Sequence, residues 1–252
     1  LNTKQRKEMQ DTEHQSTSTK CPVCGDGLNM LAESKQGRCD FCGKTTQIQF
    51  ECQSMHSICY ECATMSVKDL IKSFCLAHRG TDPMALAVEI MNSPYFEMQG
   101  SWHHLVVPSV LLTCAKNLTG GTFNLSAALD EISTRVSSEV PMECMFHAGT
   151  CGAACGAAVF LSIYLGRDAQ SEDMWSLTSA ITTAALKKIK EYPGPTCCKR
   201  DTYITISAVA EFMAEKFALV FPLSEAKCTF SLRNEGCGRE QCLYYNMANM
   251  LV

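Results

Sequence analysis

CPVCGDGLNMLAESKQGRCDFCGKTTQIQFECQSMHSICYEC, residues 21–62, decides how the front of this chain folds. Cys21-Pro22-Val23-Cys24-Gly25 is followed, after 14 residues, by Cys39-Asp40-Phe41-Cys42-Gly43. Two residues between sulfurs let one tight turn present both thiolates about 2.3 Å from an ion, and the glycine that follows permits the turn. Two such knuckles complete a tetrahedron. Cys21, Cys24, Cys39 and Cys42 are therefore expected to hold one metal, zinc by ligand type, in a ribbon-like module. Four thiolates leave no open position for a substrate, so this site reads as structural.

The same stretch continues as Cys52-x3-His56-x2-Cys59-x2-Cys62, and Cys75-Leu76-Ala77-His78 follows it. Two second sites compete: Cys52, His56, Cys59 and Cys62, or Cys59, Cys62, Cys75 and His78. The first is preferred, because Cys75 and His78 stand at i, i+3 on a helix predicted from Val67 and fit its apolar face. His56 has the plainer alternative of a surface histidine. A third grouping starts at Cys39 and runs to His78, with the cross-braced spacing of RING-type ubiquitin-ligase adaptors. It strands Cys21 and Cys24, which the tandem grouping uses.

With 252 residues, 46% of them hydrophobic, the chain can bury one large core or two modest ones. A net charge of −4 argues against nucleic acid as the main partner, since phosphate binding leaves a basic footprint. No apolar run is long enough to span a bilayer, and the start, LNTKQRKEMQDTEHQSTSTK, lacks the apolar core of a secretory signal. A cytoplasmic protein without membrane association is expected. Its 17 cysteines are an odd number, which rules out complete internal pairing, and in a reducing compartment CxxC thiols are held by metals or kept for redox chemistry. The chain opens on Leu1 rather than Met, as a fragment or a processed chain would.

Three segments are expected: a disordered tail over 1–19, a zinc-binding module over 20–80, and an α-helical, cysteine-rich domain over 81–252. The fold class is mainly α. Asp82-Pro83 caps and opens one helix, which Asn92-Ser93-Pro94 stops. Further helices are predicted from Pro108 to about Gly120, from a Ser126 cap to Val140, over Ala153–Leu165, over Met174–Ile189 and over Thr205–Phe217, before an irregular tail from 223.

The helical domain has its own sulfur chemistry. Cys144-Met-Phe-His147 leads into Cys151-Gly-Ala-Ala-Cys155, whose two thiols share a helix face among small residues. Pro193-Gly-Pro195-Thr-Cys197-Cys198-Lys199-Arg200-Asp201 sets adjacent cysteines before a helix, where the helix end and two cations favour thiolate; Asp201 is available as an N-cap. Cys228, Cys237 and Cys242 follow without knuckle spacing. Cys151, Cys155, Cys197, Cys198, Cys228, Cys237 and Cys242 are together the candidate cofactor ligands, for a [4Fe-4S] cluster or as redox-active thiols. Cys197, Cys198 and Lys199, with the pair His103-His104, are the candidates for any catalytic role. Phosphate loops, HExxH helices and GxSxG elbows are missing from the sequence.

The knuckles, Gly100-Ser-Trp-His103-His104-Leu-Val-Val-Pro108, Cys151-Gly-Ala-Ala, Pro195-Thr-Cys197-Cys198-Lys-Arg-Asp201 and the last cysteines resemble an uncharacterised cysteine-rich family of methanogens and anaerobic bacteria, found alone or fused to radical-SAM enzymes. The resemblance covers about 20–245. Its middle is also similar to redox-associated proteins with a C-GCAxxG-C-C pattern. What this implies is an anaerobe's cytoplasm, metal or iron–sulfur binding, and a redox or radical-SAM-type enzyme as partner; it implies no particular reaction. The alternative expectation is a zinc-dependent interaction module without chemistry of its own.

Overall fold

Three antiparallel strands organise the N-terminal unit: β1 (Leu28–Arg38), β2 (Thr45–Cys52) and β3 (Ser57–Cys59), in the order β1-β2-β3. The computed structural model describes residues 20–141, 148–166, 172–192 and 196–246. The tail expected over 1–19, Cys144 and His147, and Pro193–Pro195 lie outside the described residues.

The chain divides into two compact units, one comprising the residues up to Leu70 with Ser93–Glu97, the other Ile71–Asn92 with the residues from Met98 onward. In the first, β1 pairs with β2 from Leu28↔Cys52 to Arg38↔Thr45, with an irregularity between Met30 and Lys35, and β2 returns along β3 with Ile48 opposite Cys59. A four-residue helix, α1 (Tyr60–Ala63), closes the motif. Its buried set is Cys21, Cys39, Ile48, Cys52, Ile58, Cys59, Cys62 and Ala63. Only three of these are not cysteine, and Leu70, Tyr95 and Phe96 are the unit's other large buried hydrophobics, a small core for a domain of this size.

The rest is mostly helical. α2 (Val67–Ala77) crosses the boundary between the units, and α3 (Pro83–Asn92), α4 (Trp102–Thr119), α5 (Leu125–Glu139), α6 (Gly152–Leu165), α7 (Glu172–Lys190) and α8 (Cys198–Phe217) follow. α4 packs on α3, α5, α6 and α8, while α6 also meets α5, α7 and α8. Asp82 caps α3 as expected, its carboxylate accepting from the amides of Met84 at 2.8 Å and Ala85 at 3.1 Å.

Three helix starts differ from expectation. α4 begins at Trp102, and Pro108 lies inside it. Proline there removes the amide that would bond the His104 carbonyl. Gly156 of α6 packs on that oxygen so closely that a Cβ would stand 2.7 Å away, and burial from His103 through Ala115 holds the turn together. α5 is capped by Asn124, whose side chain accepts from Ala127 N at 3.2 Å, rather than by Ser126. α8 begins at Cys198, not near Thr205: its first turns bury Lys199, Arg200, Asp201, Thr202 and Tyr203, and polar residues in a buried turn erase the hydrophobic periodicity. Cys197, in extended conformation, is its N-cap residue, and Asp201 instead pairs with Arg200 at 2.8 Å.

Candidate metal centres

Cys21 and Cys24 occupy a turn in which Gly25 N donates to Cys21 O at 2.8 Å, with Gly25 at φ 84°. Cys39 and Cys42 repeat it, Gly43 N reaching Cys39 O at 2.9 Å with φ 72°. Here the left-handed backbone explains why glycine follows each pair. Cys52 ends β2, and Met55 N bonds Cys52 O at 2.9 Å, folding His56 back so that its Nδ1 lies 3.3 Å from Cys52 Sγ. Cys59 and Cys62 bracket the entry to α1.

These eight residues form two groups, Cys21, Cys24, Cys52 and His56, and Cys39, Cys42, Cys59 and Cys62; within each, all ligand atoms lie within 4.8 Å of one another. The grouping is interleaved, not tandem: Cys21 and Cys24 do not share a group with Cys39 and Cys42. Antiparallel strands dictate it. β1 carries the chain away from the first knuckle to the second; β2 returns it, with Cys52 opposite Leu28; β3 takes it back toward the second. First and third pairs meet at one end of the sheet, second and fourth at the other. Cys75 and His78 join neither group. Cys75 is fully buried in α2, and burial pushes its thiol up to about 12 although the Thr113 hydroxyl pulls the other way.

The donor sets fit metal. Three thiolates with one imidazole, and four thiolates, are ligand sets of tetrahedral zinc. No disulfide joins the cysteines among the described residues. Within the first group the two thiols diverge: burial opposes ionisation of Cys52, but hydrogen bonds from the His56 amide and ring and from Cys24 bring it down to about 7, while Cys24 beside it rises to about 11.

In the helical unit the later cysteines separate by position. Cys197, Cys228, Cys237 and Cys242 line one narrow cavity of about 20 Å3, together with Arg200, Tyr203 and Asn234. Amides point at their sulfurs: Phe230 N at 3.4 Å from Cys228, Arg239 N at 3.4 Å from Cys237, and Asn234 Nδ2 at 3.8 Å from Cys197. The Tyr203 hydroxyl and Ser231 Oγ are buried on this cavity without a hydrogen-bond partner among the described residues. Burial raises the Cys228 thiol and lifts Cys197 to about 11, against the Arg200 amide.

A second, open cleft of about 1000 Å3 adjoins it, and Cys197 and Arg200 belong to both walls. Cys151, Cys198, His103 and His104 line this cleft. Both histidines are buried and neutral at pH 7: burial and the Lys199 charge take His103 down to about 3, and burial takes His104 to about 4. Burial lifts Cys151 to about 12, with the Asp201 carboxylate adding to it. Cys155 lines neither cavity; its thiol faces Thr150 Oγ1 at 3.8 Å. Lys199 is buried apart from both, its Nζ donating to Met91 O at 3.2 Å and lying 4.4 Å over the Phe230 ring. Tyr203 and Asn234 were not legible as site residues, since neither stands in a motif.

Fold and sites together define a mostly helical, cysteine-rich protein with two groups able to hold a metal ion. The chain belongs to a family of unknown function, DUF5714, whose model matches residues 71–245. That match covers the helical unit, and the eight-ligand module precedes it. No curated protein and no solved structure matches the chain. Among the described residues, no helix is long and apolar enough to cross a membrane.

Proposed function

We propose that this is a cytoplasmic metalloprotein with two structural zinc ions in the N-terminal module and an iron–sulfur cluster on Cys197, Cys228, Cys237 and Cys242, serving redox or sulfur-transfer chemistry for a partner enzyme of the radical-SAM type in an anaerobe. The observation that carries the cluster is four cysteines on one cavity, with amide donors on three of the sulfurs. A single tetrahedral ion holds its thiolates about 3.8 Å apart, as a 2.3 Å bond length requires. These four are not among the groups whose ligand atoms lie within 4.8 Å. Wider spacing suits a cluster, whose irons are spread over several corners, and amide hydrogen bonds to sulfur tune such centres. The orphaned Tyr203 hydroxyl supplies another donor. The side chains must turn outward to admit a cluster, because the cavity holds about one water as it stands. When bound, the cluster would accept and release single electrons; the chain's own residues hold it, bury it and donate hydrogen bonds to it.

Anaerobic purification tests this. The expected result is a brown protein with two zinc and four iron per chain, and Cys237→Ser should lose the iron while keeping the zinc. A colourless protein containing zinc alone refutes the cluster.

A second reading has support from the interleaved ligand pairs, the order seen in RING-like modules. On it, the N-terminal module is a zinc-dependent surface for binding another protein and has no chemistry of its own. Capture of the same partner by the module whether or not the helical domain holds iron would favour it.

A further inference from the structure

Lys199 stands where a lysine is costly. It is 1% exposed, although lysine is almost never fully buried without compensation. It is also the second residue of α8, a 20-residue helix whose start carries partial positive charge and so repels a cation. Its Nζ donates to Met91 O at 3.2 Å and lies 4.4 Å over the Phe230 ring, and the Arg233 guanidinium lies 5.1 Å over the same ring. A carbonyl and a ring face offer only partial negative charge, and Arg233 is a second cation. Arg200, next along the helix, differs in having the Asp201 carboxylate at 2.8 Å.

Sulfur surrounds this lysine. Cys197, two residues earlier, is the N-cap residue of α8 and lines the narrow cavity. Phe230, the ring under Nζ, lines that cavity too, and its amide points at Cys228 Sγ at 3.4 Å. Lys199 itself does not line it, so the ammonium acts on the sulfurs through space and is no ligand. Burial disfavours the ammonium and Arg233 repels it, while the sulfurs of Cys197, Cys198 and Cys228, when ionised, hold it. Four thiolates outweigh the positive charge of a divalent ion or of a cluster core, so the filled site is anionic, and a buried anion needs an opposite charge nearby.

We propose that Lys199 is the buried countercharge of the site formed by Cys197, Cys228, Cys237 and Cys242: a positioning residue that binds no metal, strengthens metal binding by the four thiolates and makes a cluster held there easier to reduce. The effect on reduction rests on the cluster proposed above. The effect on affinity needs only the four thiolates.

The full chain, prepared anaerobically as wild type, Lys199→Met and Lys199→Arg, tests this. Methionine keeps the length of the side chain and removes the charge; arginine keeps the charge. In a redox titration followed by visible absorbance, Lys199→Met should retain its iron and shift to a lower midpoint potential, with Lys199→Arg close to wild type. A core merely loosened by the substitution would admit water and shift the potential upward, so the sign separates lost charge from damaged packing. The second readout does not need the cluster. Cadmium is titrated into the iron-free chain and followed by the ultraviolet absorbance of cadmium–thiolate bonds, the part abolished by Cys237→Ser reporting this site. Lys199→Met should weaken that part about tenfold or more. An unchanged or raised potential together with unchanged cadmium affinity overturns the proposal. Iron content keeps the two assignments apart: a colourless chain whose cadmium affinity depends on Lys199 sinks only the cluster, a brown chain indifferent to Lys199 sinks only the countercharge, and four cysteines that bind no metal sink both.

Discussion

Interleaving makes a prediction that tandem pairing reverses. Cys24→Ser/Cys52→Ser removes two ligands from one group and should cost one zinc per chain, whereas Cys24→Ser/Cys42→Ser removes one ligand from each and should cost two. The losses should be near complete. A structural zinc site is worth about 10–16 kcal/mol at neutral pH in small domains. Beyond its cysteines the cluster around these ligands buries Ile48, Ile58 and Ala63, with Leu28, Leu31, Phe41, Phe50 and Met65 only partly buried against it, and a buried isoleucine contributes about 1.5–3 kcal/mol. Side-chain packing therefore cannot hold a site closed once a ligand is gone. Zinc per chain would be measured by mass spectrometry after dialysis against a slight zinc excess, so that an intact group stays filled. Cobalt substitution adds a check, since the Cys24 group contains the imidazole and the Cys42 group four thiolates. If Cys24→Ser/Cys52→Ser loses both ions while Cys24→Ser/Cys42→Ser keeps one, the strand-alternation argument is wrong.

Two further outcomes follow from the start of α6. Gly152→Ala should lower stability by about 1–3 kcal/mol in a thermal melt, because its Cβ would stand 2.2 Å from the His104 ring; relief of glycine's poor helix propensity, about 1 kcal/mol, points the opposite way and should lose. His104 should make the helical unit sensitive to acid. Its folded value of about 4 lies below the ordinary 6.5, so the unfolded chain binds the extra proton and stability falls as pH drops from 6.5 toward 4, by about 3 kcal/mol at the end, with no effect above 6.5. Denaturant melts of wild type and His104→Gln across that range should differ in slope; parallel lines would show that the imidazole is not buried neutral.

How much of this was legible beforehand depends on the range of the interaction involved. The knuckles at Cys21, Cys24, Cys39 and Cys42 could be read because their chemistry is local: ligand spacing, a tight turn and a glycine at positive φ fall within five residues. The Asp82 cap of α3 was readable for the same reason. The start of α8 was not, because Lys199 to Thr202 are polar residues buried by packing that no neighbour in sequence announces. Pro108 misled in the same way, since a tertiary neighbour, Gly156, accommodates the carbonyl it frees.

By itself, the sequence determined that this chain carries short pairs of cysteine and histidine at metal-ligand spacing, followed by a helical domain rich in cysteine. Which pair joins which in a group able to hold a metal ion was decided only by the tertiary structure, because antiparallel strands send successive pairs to opposite ends of a sheet. The same holds for the later cysteines. Cys197 and Cys198 are neighbours in sequence, yet adjacent residues at a helix start diverge: Cys197 lines the cavity with Cys228, Cys237 and Cys242, and both reach the open cleft.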